Sequence, residues 1–147
     1  MIKSALISVA DKKGLSSLCK ILSKYDIKIF STGNTYKKIR DLNFKVHKID
    51  SLTNYKEILD GRVKTLHPKI HGGILFKRNK KNQINEIKKE KILPIDLVIV
   101  NLYPFKKIIS KHKSYEECLE NIDIGGHTLI RAAAKNFKDV TILCNID

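Results

Sequence analysis

Apolar and polar positions follow two rhythms along this chain. Short apolar runs, SALISV (4–9), IKIFS (27–31), KVHKI (45–49), DLVIVNL (96–102) and DVTILC (139–144), predict strands, SALISV a buried one. Between them, apolar residues recur at helical spacing. In GLSSLCKILSKY, Leu15, Leu18, Cys19 and Leu22 fall at i, i+3, i+4 and i+7, the stripe of an amphipathic helix. TGNTYKKIRDL (32–42) reads as a turn leading into a second helix, and KRNKKNQINEIKKEK (77–91) sets Ile84, Ile87 and Ile92 near one face of a third, its lysines turned to solvent. SYEECLENI (114–122) opens with a serine cap and an acidic first turn, and GGHTLIRAAAKN (125–136) forms a helix after a glycine pair. Strand and helix alternate throughout, so the expected fold is α/β: a three-layer, doubly wound, mainly parallel sheet with DLVIVNL as a central strand.

That architecture says where chemistry gathers. Strands that all point one way place the loops at their carboxyl ends on one edge of the sheet. SALISV is followed there by Ala10, Asp11 and Lys12, IKIFS by Thr32, Gly33, Asn34 and Thr35, and LVIV by Asn101, Leu102, Tyr103 and Pro104. These are small, polar or cationic groups, and one cleft collects them.

Length and charge narrow the classes. At 147 residues with 42% apolar content, the chain is the size of one domain and has material for a core. No apolar run approaches the roughly 20 residues of a membrane-spanning helix, and the start of the chain lacks the pattern of a signal peptide. Cys19, Cys118 and Cys144 are an odd set without CxxC or Cys/His metal spacing, as expected for reduced thiols of a cytoplasmic protein. The formal charge of +14, from 29 Lys and Arg against 15 Asp and Glu, favours a phosphorylated partner. It collects in 77–91 and in KKIISKHK (106–113), with few aromatics between the cations, so stacking on nucleic-acid bases is not expected.

Three stretches carry candidate chemistry. STGNT (31–35), at a strand-to-helix turn, brings backbone N–H groups and hydroxyls towards an anion, although such turns use Gly and Thr in any case. In DGRVKTLHPKIHGG (60–73), Arg62 suits a bidentate phosphate clamp, Lys64 adds a point charge and Thr65 a hydroxyl. His67 and His71 stand at i, i+4, but Pro68 lies between them at a helix start and no third ligand is in range, so loop orientation or a substrate contact is expected rather than metal. In NLYPF (101–105) Phe105 reads as a packed aromatic and Tyr103 as either packed or presented to the cleft. Asp123, just before the glycine pair, is either a helix cap or a ligand-facing carboxylate.

In this order, SVADKKG, STGNT, LDGRVKTLHPKIHGGIL, DLVIVNLYPF and IDIGGHTLIRAAAKN resemble the N-terminal IMP cyclohydrolase domain of the bifunctional purine-biosynthesis enzymes of the PurH family, from Ser4 to the end of the chain. The resemblance implies a methylglyoxal-synthase-like fold and closure of 5-formamido-1-(5-phosphoribosyl)imidazole-4-carboxamide (FAICAR) to IMP with loss of water. That reaction needs neither metal nor cofactor. By the same resemblance, Ala10, Asp11, Lys12, Thr32, Gly33, Asn34, Thr35, Arg62, Val63, Lys64 and Thr65 form a phosphate cradle. Val100, Asn101, Asp123, Ile124 and Gly125 hold the base, and Lys64, Tyr103, Asp123 and Lys135 form the catalytic set. The family also implies a possible homodimer, with a phosphorylated purine precursor as partner and neither nucleic acid nor membrane.

Several positions depart from the family pattern. Ala10 stands where the family commonly has Ser, Asn34 where Gly is usual, and His127 where Pro or a small apolar residue is usual. Asn tolerates positive φ, so the turn at Asn34 is expected to survive. Lys135 does not follow from spacing: at 1.5 Å per residue a straight helix from Gly126 carries it on the order of 13 Å from the helix start. Its alternative reading is a partner for the helix C-terminal dipole. Family members continue well beyond VTILCNID, so the chain is expected to be a truncated cyclohydrolase domain without the transformylase domain that uses 10-formyltetrahydrofolate. Methylglyoxal synthase and a nucleotide-binding regulatory domain of the same fold, as appended to carbamoyl-phosphate synthetase, are the rival readings, with a basic nucleic-acid binder last. KTLHP and NLYPF speak against methylglyoxal synthase.

Overall fold

The computed structural model describes residues 1–110 and 114–146. Lys111 to Lys113, the end of the basic stretch 106–113, therefore lie outside the described residues.

Five parallel strands form one sheet in the order β3-β2-β1-β4-β5: β1 (Ser4–Val9), β2 (Lys28–Ser31), β3 (His47–Lys48), β4 (Leu97–Asn101) and β5 (Thr141–Leu143). The most apolar run, β4, is an inner strand, but β1 holds the middle. Leu6 pairs with Phe30 on one side and Val98 on the other. Strand order reverses between β1 and β4, the switch point at which a doubly wound sheet opens a crevice beyond its carboxyl ends.

Alternation along the strands explains the three layers. Ala5, Ile7, Val9, Ile29, Leu97 and Ile99 face one way and bury Leu15, Cys19 and Leu22 of α1 (Leu15–Lys24) and Ile39 of α2 (Gly33–Asp41). Leu6, Phe30, Val98 and Val100 face the other way, against Ile70 and Ile74 of a later helix (Pro68–Leu75) and Leu129, Ala132 and Ala133 of another (Gly125–Lys135). Burial pushes the Cys19 thiol up to about 11, consistent with an inert core residue.

The chain also builds short helices that no long apolar period announces. These are α3 (Asp50–Thr53) and α6 (Phe105–Ile109); α4 (Pro68–Leu75), α5 (Lys81–Lys89), α7 (Tyr115–Glu120) and α8 (Gly125–Lys135) complete the set. Phe105 begins α6 at 39% exposure, so the packed-aromatic expectation is corrected: its one-turn helix lies on the surface. Ser114 caps α7 in a reciprocal capping box with Glu117. Among the described residues no helix is long and apolar enough to cross a membrane.

One cation of the 77–91 stretch is not solvated as its pattern implied. Arg78 packs over the Phe76 ring at 3.9 Å, donates to Ile95 O at 2.9 Å and pairs with Asp96 at 3.3 Å. It ties the end of α4 to the start of β4. Asn136 does related work from α8, donating to Ile74 O and Phe76 O at 2.8 and 3.0 Å.

Candidate functional site

Three loops at the carboxyl ends of β1, β2 and β4 meet the segment 60–66 and the approach to α8 around one cleft of about 590 Å³. That volume lies within the roughly 300–1,000 Å³ of small-molecule sites. Its wall includes Ala10, Lys12, Thr32, Gly33, Asn34, Thr35, Arg62, Lys64, Thr65, Asn101, Tyr103, Asp123, Ile124 and Gly125. The residues expected from distant parts of the sequence are thus brought together at the switch point.

Much of the first wall is rigid scaffold. Asn101 Oδ1 accepts from Ala10 N–H and Asp11 N–H at 2.6 and 3.0 Å, while its Nδ2 donates to Asp11 O at 2.9 Å. The side-chain amide expected to face a base therefore clamps the β1 loop across the switch point. Thr35 is buried, and its hydroxyl donates to Val9 O and accepts from Val9 N–H at 3.0 and 3.3 Å. Lys12 folds back, with Nζ 3.0 Å from Ala10 O.

The anion-suited part is the start of α2. Thr32 is its extended N-cap and makes no side-chain capping bond, and Gly33 takes φ +54°. Positive φ falls on Gly33 rather than Asn34, so Asn34 needs no left-handed tolerance, contrary to the sequence expectation. The first N–H groups of a helix lack intrahelical partners and carry the positive end of the macrodipole. Lys64 Nζ lies close by: a Cβ added at Gly33 would stand 3.4 Å from it. Lys64 also lies across Gly61, where an added Cβ would approach its Cε to 2.4 Å. Glu57 pairs with the ammonium at 3.4 Å.

The loop behind Lys64 is strained. Leu59, Asp60 and Gly61 are left-handed in succession, at φ +53°, +52° and +84°. For Leu and Asp that conformation costs about 1–2 kcal/mol per residue. An antiparallel bridge between Ile58 and Val63 closes this turn and projects Arg62 outwards to Glu120 of α7. The hydrogen bond to Glu120, and then its charge, raise the Arg62 pKa above its ordinary value.

Also on the cleft wall, Asp123 Oδ1 accepts from Gly126 N–H at 2.7 Å at the start of α8. Both readings of Asp123 thus coexist: it caps the helix and lines the cleft. Gly125 is required by close approach, since a Cβ there would stand 2.6 Å from Thr65 Oγ1. Tyr103 is half exposed on the cleft wall.

Four expected residues stand apart. Asp11 turns to solvent and accepts from Lys13 N–H, Val63 belongs to the loop bridge, and Val100 is buried in the core at 1% exposure. None of these three lines the cleft. Lys135 is exposed at the C-terminal end of the 11-residue α8 and does not line the cleft either. The exposed His127 also lies outside the cleft wall. Sequence reasoning missed Asp60, Gly61 and Glu120 on the wall and Glu57 behind it. The useful signal was the need of Arg62 and Lys64 for counter-charges.

His67 is a structural ligand of the backbone. Its Nδ1 accepts from Lys69 N–H at 3.1 Å, capping α4 just before Pro68, while His71 Nδ1 lies 3.4 Å from His67 O. Neither lines the cleft. Among the described residues, no group of three or more His, Cys, Asp or Glu is placed to hold a metal ion. Burial, and secondarily the charge of Lys69, lower the His67 pKa below its ordinary value. The folded state therefore binds this proton less readily than the unfolded chain, whose imidazole titrates near about 6.5. Its stabilising contribution is complete above that value and is lost as pH falls through it towards the lower folded pKa. Thermal unfolding should shift down between about pH 7 and 5, and His67→Asn, which retains a capping oxygen, should flatten part of that slope.

This geometry agrees with comparisons to known proteins. The family model for the MGS-like domain matches residues 14–128, more than half of the chain. The chain belongs to the MGS-like domain family. The bifunctional purine biosynthesis protein PurH of Clostridium acetobutylicum is 52% identical over 147 residues, covering 100% of this chain and 30% of that protein. PurH of Clostridioides difficile is 51% identical over 146 residues, covering 99% of this chain and 29% of its own length. The chain thus spans less than a third of these MGS-like relatives. The crystal structure of ForH superposes with a TM-score of 0.78 at 33% identity, covering 95% of this chain and 70% of ForH.

Proposed function

We propose that this MGS-like domain acts in purine biosynthesis as an IMP cyclohydrolase, closing FAICAR to IMP with loss of water. One observation carries the reading: the start of α2 with Lys64 beside it, Arg62, and a carboxylate, Asp123, at the start of α8 line the same cleft. The high similarity to PurH chains supports the choice of substrate.

FAICAR contains both reacting groups, so binding supplies most of the catalysis by holding a near-attack conformer. The ribose 5′-phosphate sits at the α2 N-terminus, with Lys64 and Arg62 on its oxygens. The carboxamide nitrogen attacks the formyl carbon, forming the ring C–N bond and placing negative charge on the former formyl oxygen. Asp123 orients the carboxamide and accepts its proton. Lys64 and Tyr103 stabilise the oxyanion and relay the carboxamide proton to it; the former formamide nitrogen then loses its own proton to the hydroxyl as the C–O bond breaks, so that water departs, the C=N bond forms and the ring becomes aromatic. Each turnover releases one water and leaves the domain unchanged. Lys135 receives no role within a single chain, because it stands off the cleft wall, and no formyl transfer is assigned to these residues.

The test is the absorbance change of IMP formation from FAICAR by the purified 147-residue chain. Turnover above the spontaneous rate supports the reading. Tight IMP binding without turnover indicates a regulatory nucleotide domain instead, and methylglyoxal release from dihydroxyacetone phosphate indicates the rival enzyme.

A further inference from the structure

The guanidinium best placed to grip a phosphate is already engaged. Arg62 projects from the strained 59–61 turn and pairs with Glu120, the last residue of α7. Both residues line the cleft, and both are more than half exposed, at 66% and 57% of their side-chain surface. The two belong to different segments, 58 positions apart, so the pair ties two parts of the cleft lining together. Lys64 is held differently: its partner Glu57 comes from the same stretch of chain and does not line the cleft.

An exposed ion pair in water is worth little net stability, so it opens readily when a stronger partner arrives. A phosphate monoester is such a partner. It carries close to two negative charges at neutral pH and offers two oxygens to the same guanidinium fork. A carboxylate left beside that phosphate would then repel it. α7 has only 6 residues and none of them is buried, so little resists its movement once Glu120 is released.

We propose that Glu120 is an internal competitor for the anion site: it holds Arg62 until an entering phosphate monoester takes the guanidinium and frees α7. The inference rests on reading the cleft as a phosphate-binding site. Glu120 thereby sets the affinity threshold for ligands and favours release of a phosphorylated product.

The experiment is calorimetric titration of the wild-type chain and Glu120→Gln with inorganic phosphate and, separately, with IMP. Gln keeps the size of the side chain and removes the charge. Phosphate should bind Glu120→Gln tighter, on the order of threefold, and the gain should vanish in the Arg62→Ala background. Hydrogen exchange supplies a second readout: phosphate should accelerate exchange at residues 115–120 in the wild type and leave it unchanged in Glu120→Gln. Unchanged or weaker phosphate binding by Glu120→Gln overturns the proposal, as does absence of phosphate binding to both proteins. If the phosphate shift holds while IMP binds neither protein, the cyclohydrolase reading falls and the competitor role stands. If IMP binds and the substitution changes nothing, the reverse holds.

Discussion

Lys64→Ala should lower kcat/KM for FAICAR closure by roughly three orders of magnitude. Its ammonium lies against the Gly33 turn at the start of α2, where it supplements the helix dipole. Removing it takes a positive charge from the cradle and a stabiliser from the developing oxyanion. The loss should therefore appear in both KM and kcat, which a pure phosphate anchor would not produce. The fold should persist, because the side chain is about one-third exposed and its partner Glu57 returns to solvent. Lys64→Arg is not a conservative rescue: the space beside Gly61 is already filled by the lysine, and a branched guanidinium does not fit the same path. Initial-rate kinetics with circular dichroism check the prediction. Turnover within threefold of the wild type would remove Lys64 from the catalytic group.

Asp123→Asn should reduce kcat by about a hundredfold to a thousandfold while changing KM only a few-fold. The amide oxygen of Asn can still accept from Gly126 N–H, so the start of α8 should keep its cap. What disappears is the group proposed to take the carboxamide proton. The comparison with Asp123→Ala separates the two duties: Ala should cost both activity and about 0.5–2 kcal/mol of stability from the lost cap. Paired rate and unfolding measurements read this difference. A fully active Asn variant would leave Asp123 as a cap only.

Both predictions depend on a fold that the pattern of apolar runs made largely legible. The runs of β1, β2 and β4 and the Leu15, Cys19 and Leu22 stripe correspond to buried elements, whereas the edge strands β3 and β5 are partly exposed; parallel pairing followed from the alternation of strand and helix. Short elements escaped for a physical reason: α3 and α6 have 4 and 5 residues, too few to display a helical period. Arg78 was read as one cation of a solvated run because its packing partners, Phe76 and Asp96, come from α4 and the entry to β4.

The site was legible as a set of loops and less so as individual contacts. Topology alone places the ends of β1, β2 and β4 on one edge, and most named loop residues line the cleft. Which atoms remain available depends on neighbours that no local pattern reveals. Asn101 spends its amide on the β1 loop, Thr35 spends its hydroxyl on Val9, and Val100 points into the core. The carboxylates Glu57 and Glu120 went unnoticed because each looks like an ordinary surface acid until Lys64 and Arg62 are seen beside it.

The central claim is that one edge of the sheet grips a ribonucleotide phosphate at the start of α2. A crystal structure of the chain with IMP tests it most directly. The account predicts phosphate oxygens within hydrogen-bond distance of the Asn34 N–H and of Lys64, with Arg62 turned from Glu120 to the phosphate and the base beside Asp123. A phosphate bound outside the cleft, or a nucleotide with its base at Gly33 and its phosphate at Asp123, would contradict it.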